Sequence, residues 1–161
     1  MKIKIKDQIP DTEIFHLVDG EPKISKIKDI LGTSKIILFG LPGAFTSTCS
    51  KFHLPGYVAN ADKLKQKGIQ NIFCISVNDP YVMDAWGQAH NIANKITMLS
   101  DPYLSFTKAI GAEVDRNSRG MGIRSNRYSM VIENFKVSNI QFEKETKECG
   151  ISSAEGILDV L

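Results

Sequence analysis

The sequence predicts an α/β fold, a central mixed β-sheet flanked by helices, and three observations carry that prediction. Apolar runs of strand length recur at Lys35–Gly40, Ile69–Val77 and Ile96–Leu99. Segments of helical period separate them. The last third of the chain switches to alternation about a turn and then to a helix signal, so strands that alternate with helices are followed by a hairpin.

Taken in order, Ile3–Lys6 alternates lysine with isoleucine like a strand, and Ile14–Val18 is a second short strand. Lys2, Lys4 and Lys6 would then solvate an edge. Lys35–Gly40 is a buried strand closed by glycine. After Pro42–Phe45 and the polar stretch Thr46–Ser50, a helical run carries Leu54, Val58, Ala61 and Leu64 to Lys67, and Gly68 stops it. Ile69–Val77, β-branched and apolar toward its end, is a central strand. Asp79-Pro80 opens a helix through His90, with proline in the first turn. Ile96–Leu99 is a third core strand, and Leu104–Ile110 a short helix ended by Gly111. Glu113–Gly122 is predicted as loop. Tyr128–Glu133 and Val137–Phe142 form a hairpin about Asn134. Ser152-Ser-Ala-Glu155 has the spacing of a capping box before a last helix to Leu161. A thioredoxin-like α/β sandwich fits this order, with a flavodoxin-like sheet as the alternative.

At 161 residues the chain is one domain's worth, 1–161, and long enough for an ordinary core. Its 42% apolar and 24% charged residues exclude collagen-like, disordered and disulfide-scaffold classes. The longest apolar stretch, Ile36–Phe45, is half a membrane span and is broken by Pro42 and two glycines. Met1–Lys6 lacks the apolar core of a signal peptide, so a cytoplasmic location is expected. A net charge of +2 announces neither a nucleic-acid nor a membrane partner. The arginines are unevenly placed, however. All four, Arg116, Arg119, Arg124 and Arg127, fall within twelve positions. That segment is either a solvated basic loop or a face built for an anion.

Three cysteines, Cys49, Cys74 and Cys149, argue against a disulfide framework. No metal site is expected: there is no Cys-x-x-Cys, and Cys49-x3-His53 has no second half. Cys49 lies where a central strand gives way to a helix, the junction at which α/β folds place reactive groups. In the first turn of a helix a thiol faces unpaired N–H groups and the positive dipole end, which favours the thiolate. A thiolate attacks a peroxide to give a sulfenic acid and water or an alcohol. Donors must hold the two peroxide oxygens, and Thr46, backbone amides and an arginine fork are suited to that. Pro42 would pin the loop and limit solvent access. Taken singly, Cys49 fits a small buried hydrophobe, Thr46 an N-cap and Pro42 a turn residue.

Together, Pro42-Gly-Ala-Phe-Thr46-Ser-Thr-Cys49, with Ser50-Lys51 and His53-Leu-Pro55-Gly56, resembles the peroxidatic motif of the peroxiredoxins, in the type II or peroxiredoxin-five-like branch. The resemblance continues through Cys74–Pro80, Ala85-Trp86, Leu99–Pro102, Arg124–Met130 and Ser152–Glu155, and so spans about Ile36 to Leu161. It implies a peroxidatic Cys49, a loop proline at Pro42, a substrate-binding Thr46 and an active-site Arg127, with Arg124 assisting or on the surface. Ser47 stands where the family usually has proline, which frees a φ angle at the helix entry. His53, one turn after Cys49, is either structural or a hydrogen-bonding support.

The resemblance implies a thiol-dependent peroxidase without metal, haem or flavin, acting on hydrogen peroxide and alkyl hydroperoxides. Glutathione with glutaredoxin, or thioredoxin, would supply electrons, and the chain would be a monomer or a weak homodimer. Three routes could resolve the Cys49 sulfenic acid: Cys149 in its polar segment, Cys74 on its buried strand, or an external thiol. A disulfide oxidoreductase is disfavoured because Thr46 holds the first position of a would-be Cys-x-x-Cys. A redox sensor or chaperone-like protein switched by Cys49 oxidation is the non-enzymatic alternative.

Overall fold

The computed structural model describes residues 1–161. Its frame is a seven-stranded mixed sheet built from β1 (Glu13–Val18), β2 (Glu21–Lys26), β3 (Ile36–Gly40), β4 (Asn71–Ser76), β5 (Thr97–Ser100), β8 (Tyr128–Glu133) and β9 (Lys136–Phe142). The order is β2-β1-β5-β4-β3-β8-β9. β3, β4 and β5 run parallel at the centre, and the outer pairs are antiparallel. β3 reads as an unbroken apolar run because both of its faces are covered. Ile37 and Phe39 join one core with α2 (Leu54–Gln66), α3 (Pro80–Ala89) and α5 (Ala154–Leu158). Ile36 and Leu38 join the other, with Ile27 and Leu31 of α1 (Ile27–Leu31) and Phe106 of α4 (Ser105–Ala109). No helix is long and apolar enough to cross a membrane.

Four expectations need correction. Ile3–Lys6 is not a strand. Lys4 and Asp7 close a turn on themselves, Lys6 has φ of 77°, and the segment is held by single bonds such as Lys6 N–H to the Val137 carbonyl at 2.8 Å. The lysines therefore solvate a turn rather than an edge strand. Glu113–Gly122 is not all loop: β6 (Glu113–Asp115) and β7 (Ile123–Ser125) pair antiparallel around a short 3-10 turn at Asn117–Arg119. The last helix ends at Leu158, and its cap is Ser153, whose side chain accepts from Gly156 N–H at 3.0 Å. Ser152 is one residue too early to cap, because its hydroxyl donates to Glu143 instead. Finally, β2 and α1 were not foreseen, although Asp19-Gly20, with φ of 51° and 80°, is the kind of two-residue turn that makes a hairpin.

The helix after β3 opens at Ser47 and runs to Gln66, with its turn at Cys49–His53 widened into a π-helix. Pro55 explains the widening. It has no N–H to return to Lys51, and its ring crowds that carbonyl. Leu54 N–H instead reaches back five residues to the Cys49 carbonyl. Such widened turns recur at functional sites.

Candidate active site

The site sits at the carboxyl end of β3, where three segments converge. The loop Leu41–Thr46 is pinned by Asn78, whose Oδ1 accepts from Ala44 N–H and from Ser76 Oγ, both at 2.8 Å. Phe45 takes the left-handed conformation, φ 61°, and turns the chain into the helix. Thr46 donates its hydroxyl to the Gly43 carbonyl at 2.7 Å. On the next turn, Trp86 of α3 donates Nε1–H to Ser50 at 3.0 Å, which fixes the helix start against the core.

Cys49 is fully buried beneath this loop. Arg127, the residue before β8 and only 1% exposed, points its guanidinium at it. Nη2 lies 3.3 Å from the Cys49 sulfur and donates to the Thr146 carbonyl at 2.9 Å. Nη1 donates to His53 Nδ1 at 2.9 Å. A guanidinium cannot accept, so His53 Nδ1 is the acceptor and its Nε2–H donates to the Ser152 carbonyl at 3.0 Å. That arrangement demands neutral imidazole, and burial first, then the Arg127 charge, lowers the His53 pKa to about 3. Tyr57 and Ser129 hydroxyls converge on the same Ser152 carbonyl, at 3.0 and 2.6 Å. Arg127 forms no ion pair with any carboxylate.

A cleft of about 270 Å³ opens beside this site, and Arg127, in reach of the Cys49 sulfur, forms part of its lining. Pro42, Thr46 and Ser47 form one wall, Arg116, Arg119 and Met121 another, and Glu145–Lys147 the third. Arg124 stands behind the loop, with Nε on the Met121 carbonyl at 2.8 Å and Nη1 3.4 Å from that of Pro42. Cys74 lies mid-strand on β4, opposite Phe39 and Met98, in the same core layer as Cys49. Burial pushes its thiol well up. Cys149 is half-buried, and its thiol is raised to about 11, chiefly by burial and then by Glu143 and Cys49, with Arg127 opposing. All three thiols are free.

Sequence patterns singled out Cys49, Arg127, Thr46 and Pro42; the last three line the cleft, and Cys49 is buried next to it, 3.3 Å from Arg127 Nη2. They missed Glu143, whose buried Oε1 accepts from Gly150 N–H (2.7 Å), Ser152 N–H (2.9 Å) and Ser152 Oγ (2.9 Å). A lone Glu at a strand end offers no signal of that role.

A mixed sheet with helices on both faces and a cysteine at a strand-to-helix junction defines a thioredoxin-like redox protein. The Redoxin family model matches residues 4–158. Peroxiredoxin-2C of Oryza sativa subsp. japonica is 39% identical over 99% of this chain and 98% of its own. The structure of reduced Prx3 in complex with hydrogen peroxide from Vibrio vulnificus matches with a TM-score of 0.92 and 41% identity, covering 98% of each chain. Peroxiredoxin 5 from Alvinella pompejana gives a TM-score of 0.85 at 36% identity over 97% of this chain and 96% of that one. The chain belongs to the redoxin family, in its type II peroxiredoxin branch. It is a thiol-dependent peroxidase with an antioxidant function.

Proposed function

We propose that Cys49 is the peroxidatic nucleophile of a single redoxin domain spanning residues 1–161. The observation that carries this is Arg127: a guanidinium buried without a carboxylate needs an anion, and the Cys49 sulfur 3.3 Å away is the group in reach that can become one. The thiolate attacks one peroxide oxygen. The S–O bond forms as the O–O bond breaks, and the leaving oxygen takes a proton to depart as water or an alcohol. Arg127 stabilises the charge that moves from sulfur to the leaving oxygen, and its Nε–H, buried and unpartnered, is a donor still unspent. Thr46 Oγ, on the cleft wall, accepts the peroxide O–H while giving its own proton to Gly43. Pro42 shapes the entrance. Hydrogen peroxide as substrate is supported by its presence in the similar Prx3 structure, and the exposed cleft mouth suits alkyl hydroperoxides as well.

For recycling we favour an external thiol, glutathione with glutaredoxin or thioredoxin, over an internal disulfide. Cys74 is locked in the sheet, and the raised pKa of Cys149 leaves little thiolate at neutral pH. Cys149 is the internal alternative, because Thr48 Oγ, 3.4 Å from the Lys147 carbonyl, brings its segment alongside the first helical turn. We further propose a monomer or homodimer in the cytoplasm.

The test is intact mass with peptide mapping after one equivalent of hydrogen peroxide, together with turnover. Oxygen gained at Cys49 and continuous peroxide consumption with a thiol, both lost in Cys49→Ser, are expected. A Cys49–Cys149 crosslink would move the resolving step inside the chain. Oxidation without turnover would favour the sensor, and an unmodified Cys49 would end the peroxidase assignment of this residue.

A further inference from the structure

The cleft beside Arg127 is charged out of proportion to the rest of the molecule. The whole chain carries a net +2, yet Arg116, Arg119, Arg127 and Lys147 line this one cavity against a single carboxylate, Glu145. The protein forms only two ion pairs, Lys26–Glu13 and Lys147–Glu145 at 3.9 and 3.0 Å. Lys147 and Glu145 therefore offset each other, while Arg116 and Arg119 have no carboxylate partner. Arg127 is spent on His53, Thr146 and Cys49, whereas the Arg116 and Arg119 forks make no side-chain hydrogen bond or ion pair, so their like charge beside Arg127 costs the fold repulsion and returns it no internal contact.

The fold also goes to some length to hold them there. The β6–β7 ribbon brackets the segment, with Val114 opposite Arg124. Arg116 N–H donates to the Gly122 carbonyl at 2.8 Å, and Arg119 N–H to the Arg116 carbonyl at 3.0 Å. Gly120 and Gly122 adopt φ of 67° and 69° to close the turn. A solvated basic loop needs no such bracing.

We propose that Arg116 and Arg119 form a carboxylate-reading subsite, and that its ligand is the low-molecular-weight thiol that reduces oxidised Cys49. The inference rests on the peroxidase reading of Cys49. An arginine fork matches a carboxylate bidentately, which positions as well as attracts. Hydrogen peroxide has no carboxylate and gains nothing from this wall. A peptide-sized thiol carrying one or two carboxylates can rest them on Arg116 and Arg119 while its sulfur passes Thr46 to meet Cys49 as the first helical turn opens. Its thiolate attacks the sulfenic sulfur of Cys49: the S–S bond forms, the S–O bond breaks, and the oxygen leaves as hydroxide and takes a proton to become water. A second thiolate then displaces Cys49 and releases the small disulfide.

The experiment measures the rate of reduction of the Cys49 sulfenic acid by 3-mercaptopropionate (anionic), 2-mercaptoethanol (neutral) and cysteamine (cationic), compared at equal thiolate concentration. The order anionic, neutral, cationic is expected. In Arg116→Gln/Arg119→Gln the anionic-to-neutral ratio falls by about ten-fold, the scale of two partly exposed charge contacts. In Arg116→Glu/Arg119→Glu the order inverts. Should either variant fail to fold, wild-type protein decides: only the anionic thiol slows as ionic strength rises from low to physiological salt. Equal rates for all three thiols, or a uniform loss in the Gln variant, would overturn the proposal. So would a variant whose deficit appears only with a carboxylate-bearing hydroperoxide, since the wall would then select the oxidant. Failure of Cys49 to oxidise at all refutes the peroxidase reading separately, before any thiol is added.

Discussion

His53 is held neutral by its two neighbours, and that has a cost in acid. Its folded pKa lies near 3, against 6.5 when solvated. Below pH 6.5 the unfolded chain binds a proton that the folded chain refuses, so stability falls from pH 6.5 toward 3. The limiting slope is about 1.4 kcal/mol per pH unit. Denaturant melts at pH 7 and pH 5 check this: wild type loses stability over that range, and His53→Gln, which keeps a donor and an acceptor, loses less. His16 shifts the same way and remains in both proteins, so the difference isolates His53. Cys149 makes the opposite kind of prediction. With its pKa raised to about 11, its alkylation by iodoacetamide is slow at pH 8 and climbs by more than an order of magnitude by pH 10.5.

At the scale of elements, the C-terminal segment is tied down by one carboxylate. Glu143 Oε1 accepts three bonds from Gly150 and Ser152, and the Ser152 carbonyl in turn receives His53, Tyr57 and Ser129. Removing the acceptor strands buried donors, at about 1–3 kcal/mol each. Glu143→Ala is expected to accelerate amide exchange across 150–152 and alkylation of Cys149, with Glu143→Gln intermediate. The β3–β8 pair carries a second constraint. A Cβ on Gly40 would stand 2.3 Å from the Tyr128 ring, so Gly40→Ala is expected to lower stability by about 1–3 kcal/mol in a denaturant melt. These elements also show what a sequence reveals. Lys35–Gly40 was legible because a strand covered on both faces is apolar throughout, and the hairpin about Asn134 because that turn needs positive φ, here 49°. Ile3–Lys6 misled because alternation records only what side chains prefer. Whether a partner strand is present is settled by distant chain.

Over the whole molecule, the two cores flank the sheet and the site lies where the helical face meets the C-terminal segment. Cys49, Thr46 and Pro42 were legible because their spacing is local chemistry on one loop. Arg127 was legible through the clustering of arginines and the family pattern, not through any contact visible along the chain. Glu143 and the Ser152 carbonyl were invisible, because a hydrogen bond between residues far apart leaves no mark on either. The burial of Cys49 yields a prediction at this scale. A mixed disulfide with glutathione cannot fit at a fully buried sulfur, so forming it must open the first helical turn. The glutathionylated protein is expected to melt several degrees below the reduced one, and Cys49→Ser treated in parallel to show no difference.

That same burial makes the fold part of the electrochemistry. Free energy spent in opening the structure around an oxidised sulfur is recovered when the sulfur is reduced, so it appears as driving force for reduction. For a two-electron couple about 1.4 kcal/mol of such conformational strain raises the reduction potential by about 30 mV. The tightness of packing around Cys49 thus bears on its reduction potential, and substitutions at Phe39 or Leu54, apolar members of the same core, would retune it without removing a polar group of the site.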